Sequence, residues 1–380
     1  MQLRLLIIAD DLTGANDTGV QFARQGISTL VAIHHEIPLT NFVENCEVLV
    51  MNTDSRHVTP DEAYARVFKL AQQGVALGIS HFYKKTDSTL RGNIGSELAA
   101  LLAATNETEL FFAPAYPKLN RTTERGIQLV AGQPIHQTAF ACDPLNPVNE
   151  AFVPAIIAAQ TKLPVRIFDQ SEIYEPSIYV MDAANDEDLR AHAHWLQVNN
   201  RTKLLAGSAG WAEFLPEVFS LNTSLRPKLE LSAPMLIVNG SLHENSLRQV
   251  AYAVQHGFPV IDFQANAAAQ QTSEKIAATG HAILTTNTVS LCAQATENLA
   301  NLVCQILVRS HVKTLIVFGG DTLAAIAQAL DWKVFRPHAE ILPGVPIVEI
   351  CEQKNILLIT KAGGFGAEDL LCLIAEAHTQ

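Results

Sequence analysis

Cations and carboxylates recur at strand-sized intervals through the first half of this 380-residue chain. Asp10, Asp11 and Thr13 follow one apolar run, and Thr53, Asp54, Ser55 and Arg56 follow another. Lys84-Lys85-Thr86-Asp87-Ser88-Thr89-Leu90-Arg91-Gly92-Asn93 follows a third, and Ala115-Tyr116-Pro117-Lys118 with Arg121 follows a fourth. Lysine and arginine gathered in this way suit a carboxylate or phosphate ligand, and the aspartates beside them can accept a proton from a hydroxyl. The second half offers glycine in place of charge, at Asn239-Gly240-Ser241, Gly319-Gly320-Asp321-Thr322 and Lys361-Ala362-Gly363-Gly364-Phe365-Gly366. Glycine lets the backbone approach a ligand closely, and a helix N-terminus behind it presents free N–H groups to phosphate. Taken singly, each cluster is also what a helix cap or a tight turn uses. Repetition at corresponding positions favours an anion site in the first half and a phosphate cradle in the second.

For these residues to meet, the segments before them must be neighbouring strands of a parallel sheet, whose carboxyl ends share one edge. Apolar runs of strand length at 3–9, 29–33, 46–51, 79–84, 109–113, 177–181 and 203–206 meet that need. Helical patterns lie at about 14–25 and after Asn93, Asn185 and Trp211. The most complete helix start has Thr59 as N-cap, Pro60 at the first helical position, and Asp61 and Glu62 in the first turn. In the second half strands are expected at 235–238, 259–263, 282–285, 314–318 and 356–360, with a long helix over 288–309 and a surface loop at 265–271. The expected fold class is α/β: two non-identical α/β domains with mostly parallel sheets and a ligand crevice between them. The polar, proline-bearing stretch 222–234 sets the boundary, giving domains 1–226 and 227–380.

The bulk composition excludes several classes. With 26 Lys+Arg against 38 Asp+Glu the formal charge is -12, which argues against broad binding to nucleic acid or anionic membranes. No stretch approaches the ~18 apolar residues of a membrane span, and the start lacks a signal h-region, so a cytoplasmic protein is expected. Six cysteines form no C-x-x-C pair and 13 histidines show no ligand spacing, so no metal held by protein ligands alone is expected. There is no P-loop and no dinucleotide fingerprint; Gly207-Ser208-Ala209-Gly210 lacks the spacing of a nucleophile elbow, and His243-Glu244 lacks the second histidine of a zincin.

Ile8-Ala9-Asp10-Asp11-Leu12-Thr13-Gly14-Ala15, Thr53-Asp54-Ser55-Arg56, the run 84–93, Ala113-Pro114-Ala115-Tyr116-Pro117 and the last two glycine motifs resemble those of the four-carbon acid sugar kinase family. The resemblance spans nearly the whole chain. It implies that domain 1–226 binds a sugar acid, that domain 227–380 binds ATP, and that the product is a 4-phosphorylated tetronate. D-threonate is the first candidate substrate, with D-erythronate and 3-oxo-tetronates as alternatives. By the same resemblance Asp11, Arg56, Lys85, Thr86, Asp87 and Ser88 fall at substrate positions, and Arg91 joins them as a further cation of the same run. Ser241, Gly320, Asp321, Thr322, Leu323 and Gly364 fall where nucleotide contacts are expected, together with the adjoining Gly319 and Gly363. The expected mechanism has Arg56 and Lys85 holding the acid and Asp11 or Asp87 accepting the hydroxyl proton. The glycine loops hold ATP with Mg²⁺, and Asp321 is either near the metal or an N-cap. Two departures stand out: Leu242-His243-Glu244-Asn245 replaces a small pair, and the stretch 265–280 is short for the family. A sugar-acid lyase or dehydratase, and a regulator that binds the same ligands without turnover, are the competing readings. A homodimer is the base-rate assembly.

Overall fold

A strand covered on both faces reads as uninterrupted apolar sequence, and such runs form the main sheet of the first unit. The structure, a computed structural model, describes residues 2–143, 145–171, 173, 176–224, 229–285 and 293–376. The chain divides into two units, Met1–Leu225 and Arg226–Gln380. The expected boundary at 226/227 and the first residues of the expected helix, 288–292, lie outside the described residues.

The first unit runs β1 (Leu5–Ala9), α1 (Leu12–Ala23), β2 (Thr29–Ala32), β3 (Val48–Asn52), α2 (Pro60–Ala76), β4 (His81–Lys85), α3 (Ile94–Thr105) and β5 (Glu109–Ala113). It continues with the short antiparallel strands β6 (Arg121–Glu124), β7 (Ile127–Val130) and β8 (Gln133–Pro134), then α4 (Val153–Ala158), β9 (Val165–Ile167), β10 (Ser177–Val180), α5 (Asp186–Val198), β11 (Leu204–Gly207), α6 (Ala209–Ala212) and α7 (Leu215–Val218). Its main sheet is parallel throughout, in the order β2-β3-β1-β4-β11-β5-β10-β9. Every residue of α1 is buried, because it packs on β2 and β3 and against α6. The caps follow side-chain chemistry: Thr59 accepts from Glu62 N at 3.3 Å and Asn185 from Asp188 N at 2.9 Å. Asn93 instead sends its amide to the carbonyls of Ser55 and Val58, at 2.9 Å each, and Gln160 Oε1 takes the Gly95 N–H at 2.8 Å. The helix expected after Trp211 is broken into α6 and α7, with Trp211 itself fully buried inside α6.

The second unit contains β12 (Met235–Asn239), α8 (Glu244–Gln255), β13 (Val260–Asp262), α9 (Ala268–Thr279), β14 (His281–Thr285), α10 (Ala293–Arg309), β15 (Thr314–Phe318), α11 (Gly320–Ala329), β16 (Val334–Glu340), β17 (Pro346–Ile350), β18 (Leu357–Lys361) and α12 (Leu370–Glu376). Its strand order is β13-β14-β12-β15-β18-β17-β16, parallel up to β18 and antiparallel beyond it. The loop expected at 265–271 is overtaken by α9, whose Ala268, Ala269 and Thr272 are buried. Alanine and glutamine favour helix, and burial of that face overrides the polar look of the segment. Among the described residues no helix is long and apolar enough to cross a membrane.

Glycine at 95 is required by the packing of α3 on the end of α4, since a Cβ there would collide with the carbonyl oxygen of Ile157. Gly95→Ala is expected to destabilise the first unit by about 1–3 kcal/mol. Denaturant unfolding checks this, and an unshifted midpoint for that unit would refute the close approach.

Candidate active site

In the first unit β3, β1 and β4 lie side by side in register, Ala9 pairing with both Asn52 and Lys85. Their following loops therefore emerge together. Arg56 ties two of them: its Nε donates to Asp10 Oδ2 at 2.7 Å and its Nη1 to Asp11 Oδ2 at 3.0 Å, while Nη2 lies 2.8 Å from Asp11 Oδ1. Asp11 also caps α1 by accepting from Gly14 N at 3.0 Å. Burial raises the Asp10 carboxyl, but Arg56, Lys84 and Lys85 outweigh it and hold the group below its ordinary value. Oδ1 of Asp10 is buried without a hydrogen-bond partner among the described residues.

Successive strand residues point to opposite faces, so the adjacent lysines have different fates. Lys84 is fully buried and pairs with Glu97 Oε2 of α3 at 3.1 Å, while the Ser55 hydroxyl donates to the other Glu97 oxygen. Burial pushes the Glu97 carboxyl up, against the pull of Lys84. Lys85 is 5% exposed, and among the described residues its ammonium makes no hydrogen bond or ion pair. A Cβ at Gly14 would lie 2.5 Å from Lys85 Nζ and 2.5 Å from Asp11 Oδ1, so glycine there keeps the space between them clear.

The turn after β4 is built around Asp87, which accepts from the Thr89 hydroxyl and from Arg91 Nε at 2.6 Å. Arg91 Nη1 continues to Asp143 Oδ2 at 3.1 Å. Burial raises the Asp87 carboxyl, yet Arg91, Arg56 and Arg121 drive it well below the usual carboxylate range. Arg121 donates to the Ser88 hydroxyl, and both Arg91 and Arg121 sit over the Phe140 ring, 5.6 and 5.8 Å from its centroid. Thr86 is turned to β11, its N–H and hydroxyl reaching Gly207 O at 2.9 and 3.4 Å.

In the second unit β12, β15 and β18 are likewise adjacent, with Phe318 paired to Asn239 on one side and Lys361 on the other. The three glycine loops follow these strands and touch. Gly240 N donates to Phe318 O at 3.1 Å, and Gly319 N donates to Lys361 O at 3.0 Å. A Cβ at Gly240 would run into the Thr322 hydroxyl, and one at Gly363 would come within 2.7 Å of Ser241 Oγ. Gly319, at φ +108°, opens α11 with no side-chain cap, so the first-turn N–H groups of Gly320, Asp321 and Thr322 are left to solvent or ligand. Asp321 is exposed, and Leu323 is buried beneath the turn. Gly364 passes His243, whose Nε2 would lie 3.3 Å from a Cβ at that position.

A family model for a sugar-binding N-terminal domain matches residues 5–215, and one for a nucleotide-binding C-terminal domain matches residues 236–371. A D-threonate kinase of Salmonella typhimurium is 31% identical over 97% of both chains. The chain belongs to the four-carbon acid sugar kinase family. Within that family a D-threonate kinase of Bordetella bronchiseptica is 29% identical and a D-erythronate kinase of Heliobacterium modesticaldum 30%, each matching 98% of this chain and 96% of its own. A solved Salmonella typhimurium structure described as a tRNA synthase shares the fold, with a TM-score of 0.79 at 22% identity over 97% of this chain and 98% of its own. A Bordetella bronchiseptica DUF1537 protein, a domain-swapped dimer with bound citrate, is 27% identical over 98% of each chain with a TM-score of 0.52.

In this four-carbon acid sugar kinase the motif residues divide by surroundings. Asp11, Arg56 and Lys85 share one sheet edge, and Asp87, Ser88 and Arg91 form the turn that continues from Lys85. Thr86 lies in that turn but is engaged with β11. Ser241, Gly319, Gly320, Asp321, Thr322, Leu323, Gly363 and Gly364 belong to the three touching loops. Sequence reasoning singled out neither Glu97 nor Asp143. Glu97 carried a signal, being the single charge in an otherwise apolar or small helix; Asp143 carried none, since it reaches Arg91 from a distant loop.

Lys84 and Glu97 are a buried pair, so removing one charge strands the other. Lys84→Met is expected to destabilise the first unit by about 3–5 kcal/mol, and Lys84→Met with Glu97→Gln to recover much of the loss. Chemical denaturation of the single and double variants checks it; equal losses would show that the two groups do not interact.

Proposed function

We propose that this chain transfers the γ-phosphoryl group of ATP to the 4-hydroxyl of a four-carbon sugar acid, D-threonate first, with D-erythronate or a 3-oxo-tetronate as the alternative acceptor. The observation that carries this reading is Lys85, a nearly buried ammonium that makes no hydrogen bond or ion pair among the described residues, although Asp10 and Asp11 lie near it. A buried ammonium whose hydrogens meet no acceptor is costly, and a carboxylate ligand that accepts them removes that cost. The kinase names of the relatives across their full lengths support the reaction type.

In this reading residues 1–226 bind the acid and residues 227–380 the nucleotide. Lys85 and the remaining N–H groups of Arg56 hold the substrate carboxylate and its neighbouring hydroxyl, with Ser88 and Arg91 on the adjoining turn. Thr86 fixes that turn through its two bonds to Gly207 O. Asp11 accepts the 4-hydroxyl proton as that oxygen bonds to the γ-phosphorus and the bond to the bridging oxygen of ADP breaks. Asp87 is a weak base, because its arginine neighbours stabilise the ionised form, and it serves to anchor Arg91. The nucleotide phosphates take the N–H groups at the start of α11 and in the loops carrying Ser241, Gly363 and Gly364.

Mg²⁺ fits this donor set as a shared ion. It commonly takes one or two carboxylates and completes its shell with phosphate oxygens and water. Among the described residues no cluster of three or more His, Cys, Asp or Glu could hold an ion alone, and Asp321, exposed in the first turn of α11, is a carboxylate beside the glycine loops. When bound, the ion would neutralise phosphate charge. A homodimer is the assembly to expect, by analogy with the dimeric Bordetella protein.

A coupled ADP-release assay with ATP and Mg²⁺ across D-threonate, D-erythronate and 3-oxo-tetronates tests the reading. ADP formation dependent on D-threonate is expected; no turnover with any of the acids would overturn it. Lys85→Met should raise KM for the acid about tenfold or more with KM for ATP unchanged. Asp11→Asn should lower kcat by about 10²-fold, and an unaltered kcat would take the proton-acceptor role from that residue.

A further inference from the structure

Lys361 is the last residue of β18, 1% exposed, and absent from the residues assigned above to nucleotide contact. Its ammonium donates to Ser246 Oγ at 3.1 Å, Ala362 O at 3.1 Å and Gly363 O at 3.0 Å, and lies 4.3 Å from the centre of the Phe318 ring. The Ser246 hydroxyl spends its own hydrogen on Gly363 O at 2.9 Å, so at Lys361 it can only accept. Three acceptors therefore face Nζ, and only the charged amine has three hydrogens to give.

The carbonyls held by Lys361 fix the orientation of the loop. The loop's peptide units are trans, and in a trans peptide the N–H of the next residue points opposite to the carbonyl. With the Ala362 and Gly363 carbonyls drawn to Nζ, the N–H groups of Gly363 and Gly364 point away from it, and neither donates a hydrogen bond among the described residues. The loop also lies next to the start of α11, since Gly319 N is bonded to Lys361 O.

We propose that Lys361 is a positioning residue for phosphoryl transfer: its ammonium holds the Ala362 and Gly363 carbonyls so that the Gly363 and Gly364 N–H groups face the phosphates of the nucleotide. This rests on the reading of the three glycine loops as the nucleotide site. The titratable or charged groups on the surrounding elements include His243, Glu244, Arg248 and Tyr252 at and in α8, Asp321 in α11, Glu349 in β17, and Glu368 and Asp369 before α12. None of them forms an ion pair with Nζ. Burial alone draws the Lys361 amine down to about 7. Phosphate binding favours the charged amine and raises that value, so nucleotide affinity is fully supported below about pH 7 and declines as pH rises through it.

The test is ATP binding by the full chain, by titration calorimetry from about pH 6 to pH 9, with steady-state KM values for ATP and for the acid. Lys361→Met is expected to weaken ATP binding about tenfold or more at the low end, to leave KM for the acid unchanged, and to approach the parent protein as pH rises. A gap that is absent, or constant across the range, overturns the proposal. If Lys361→Met fails to fold, Ser246→Ala makes the same comparison: loss of one acceptor should shift the pH midpoint of ATP affinity, and an unmoved midpoint with unchanged affinity overturns it equally. If the parent protein binds no ATP at any pH, it is the nucleotide-site reading that falls.

Discussion

The Arg56 bridge to Asp10 and Asp11 is the constraint on which the first unit's site depends. It joins the loop after β3 to the loop after β1, and through Asp11 it also fixes the start of α1. Burying three charges together carries a desolvation cost that only good geometry offsets. Here the guanidinium engages both carboxylates with its fork, and the neighbouring strand end contributes Lys84 and Lys85. The Asp10 carboxyl, although buried, is thereby held below its ordinary value.

The layers of the fold that rest on local apolar patterning were legible from sequence. β1, β3 and β15 are wholly buried and read as continuous apolar runs, and Thr59-Pro60-Asp61-Glu62 announced α2 by cap chemistry. β16 and β17 escaped notice because β16 carries Arg336, Pro337, His338 and Glu340 on a half-buried ribbon, where alternation is weak. Strand order was not legible at all. β11 inserts between β4 and β5 although it comes last of the three, and only long-range packing decides that.

The site shows the same division between what residue type reveals and what surroundings decide. Lys84-Lys85 reads as a doubled cation, yet the pleat sends one residue to a buried partner on α3 and leaves the other, among the described residues, without a hydrogen bond or ion pair. Asp11 and Asp87 read as equivalent candidates for a base. Their contacts differ: Asp11 is held by Arg56 and caps α1, whereas Asp87 accepts from Thr89 and Arg91, and Arg91, Arg56 and Arg121 lower the affinity of Asp87 for a proton.

In the proposed reading the two units meet negative ligands by different physics, and the lysines that end β4 and β18 carry the contrast. In the first unit formal charges are arranged around a small space, as suits an acid whose single carboxylate must be found and oriented by a few directed contacts. In the second, recognition falls to backbone N–H groups, whose directions are set by the fold and which carry no net charge to be neutralised between turnovers. A backbone cradle works only if its carbonyls are turned away from the anion. The Lys85 ammonium makes no hydrogen bond among the described residues, whereas Lys361 spends all three hydrogens on the Ser246 hydroxyl and the Ala362 and Gly363 carbonyls, which in the proposed reading turns those two carbonyls away from the anion. The same residue type at the same place on two strands would thus act, in the proposed reading, once as a contact and once as the support that makes contacts by glycine possible.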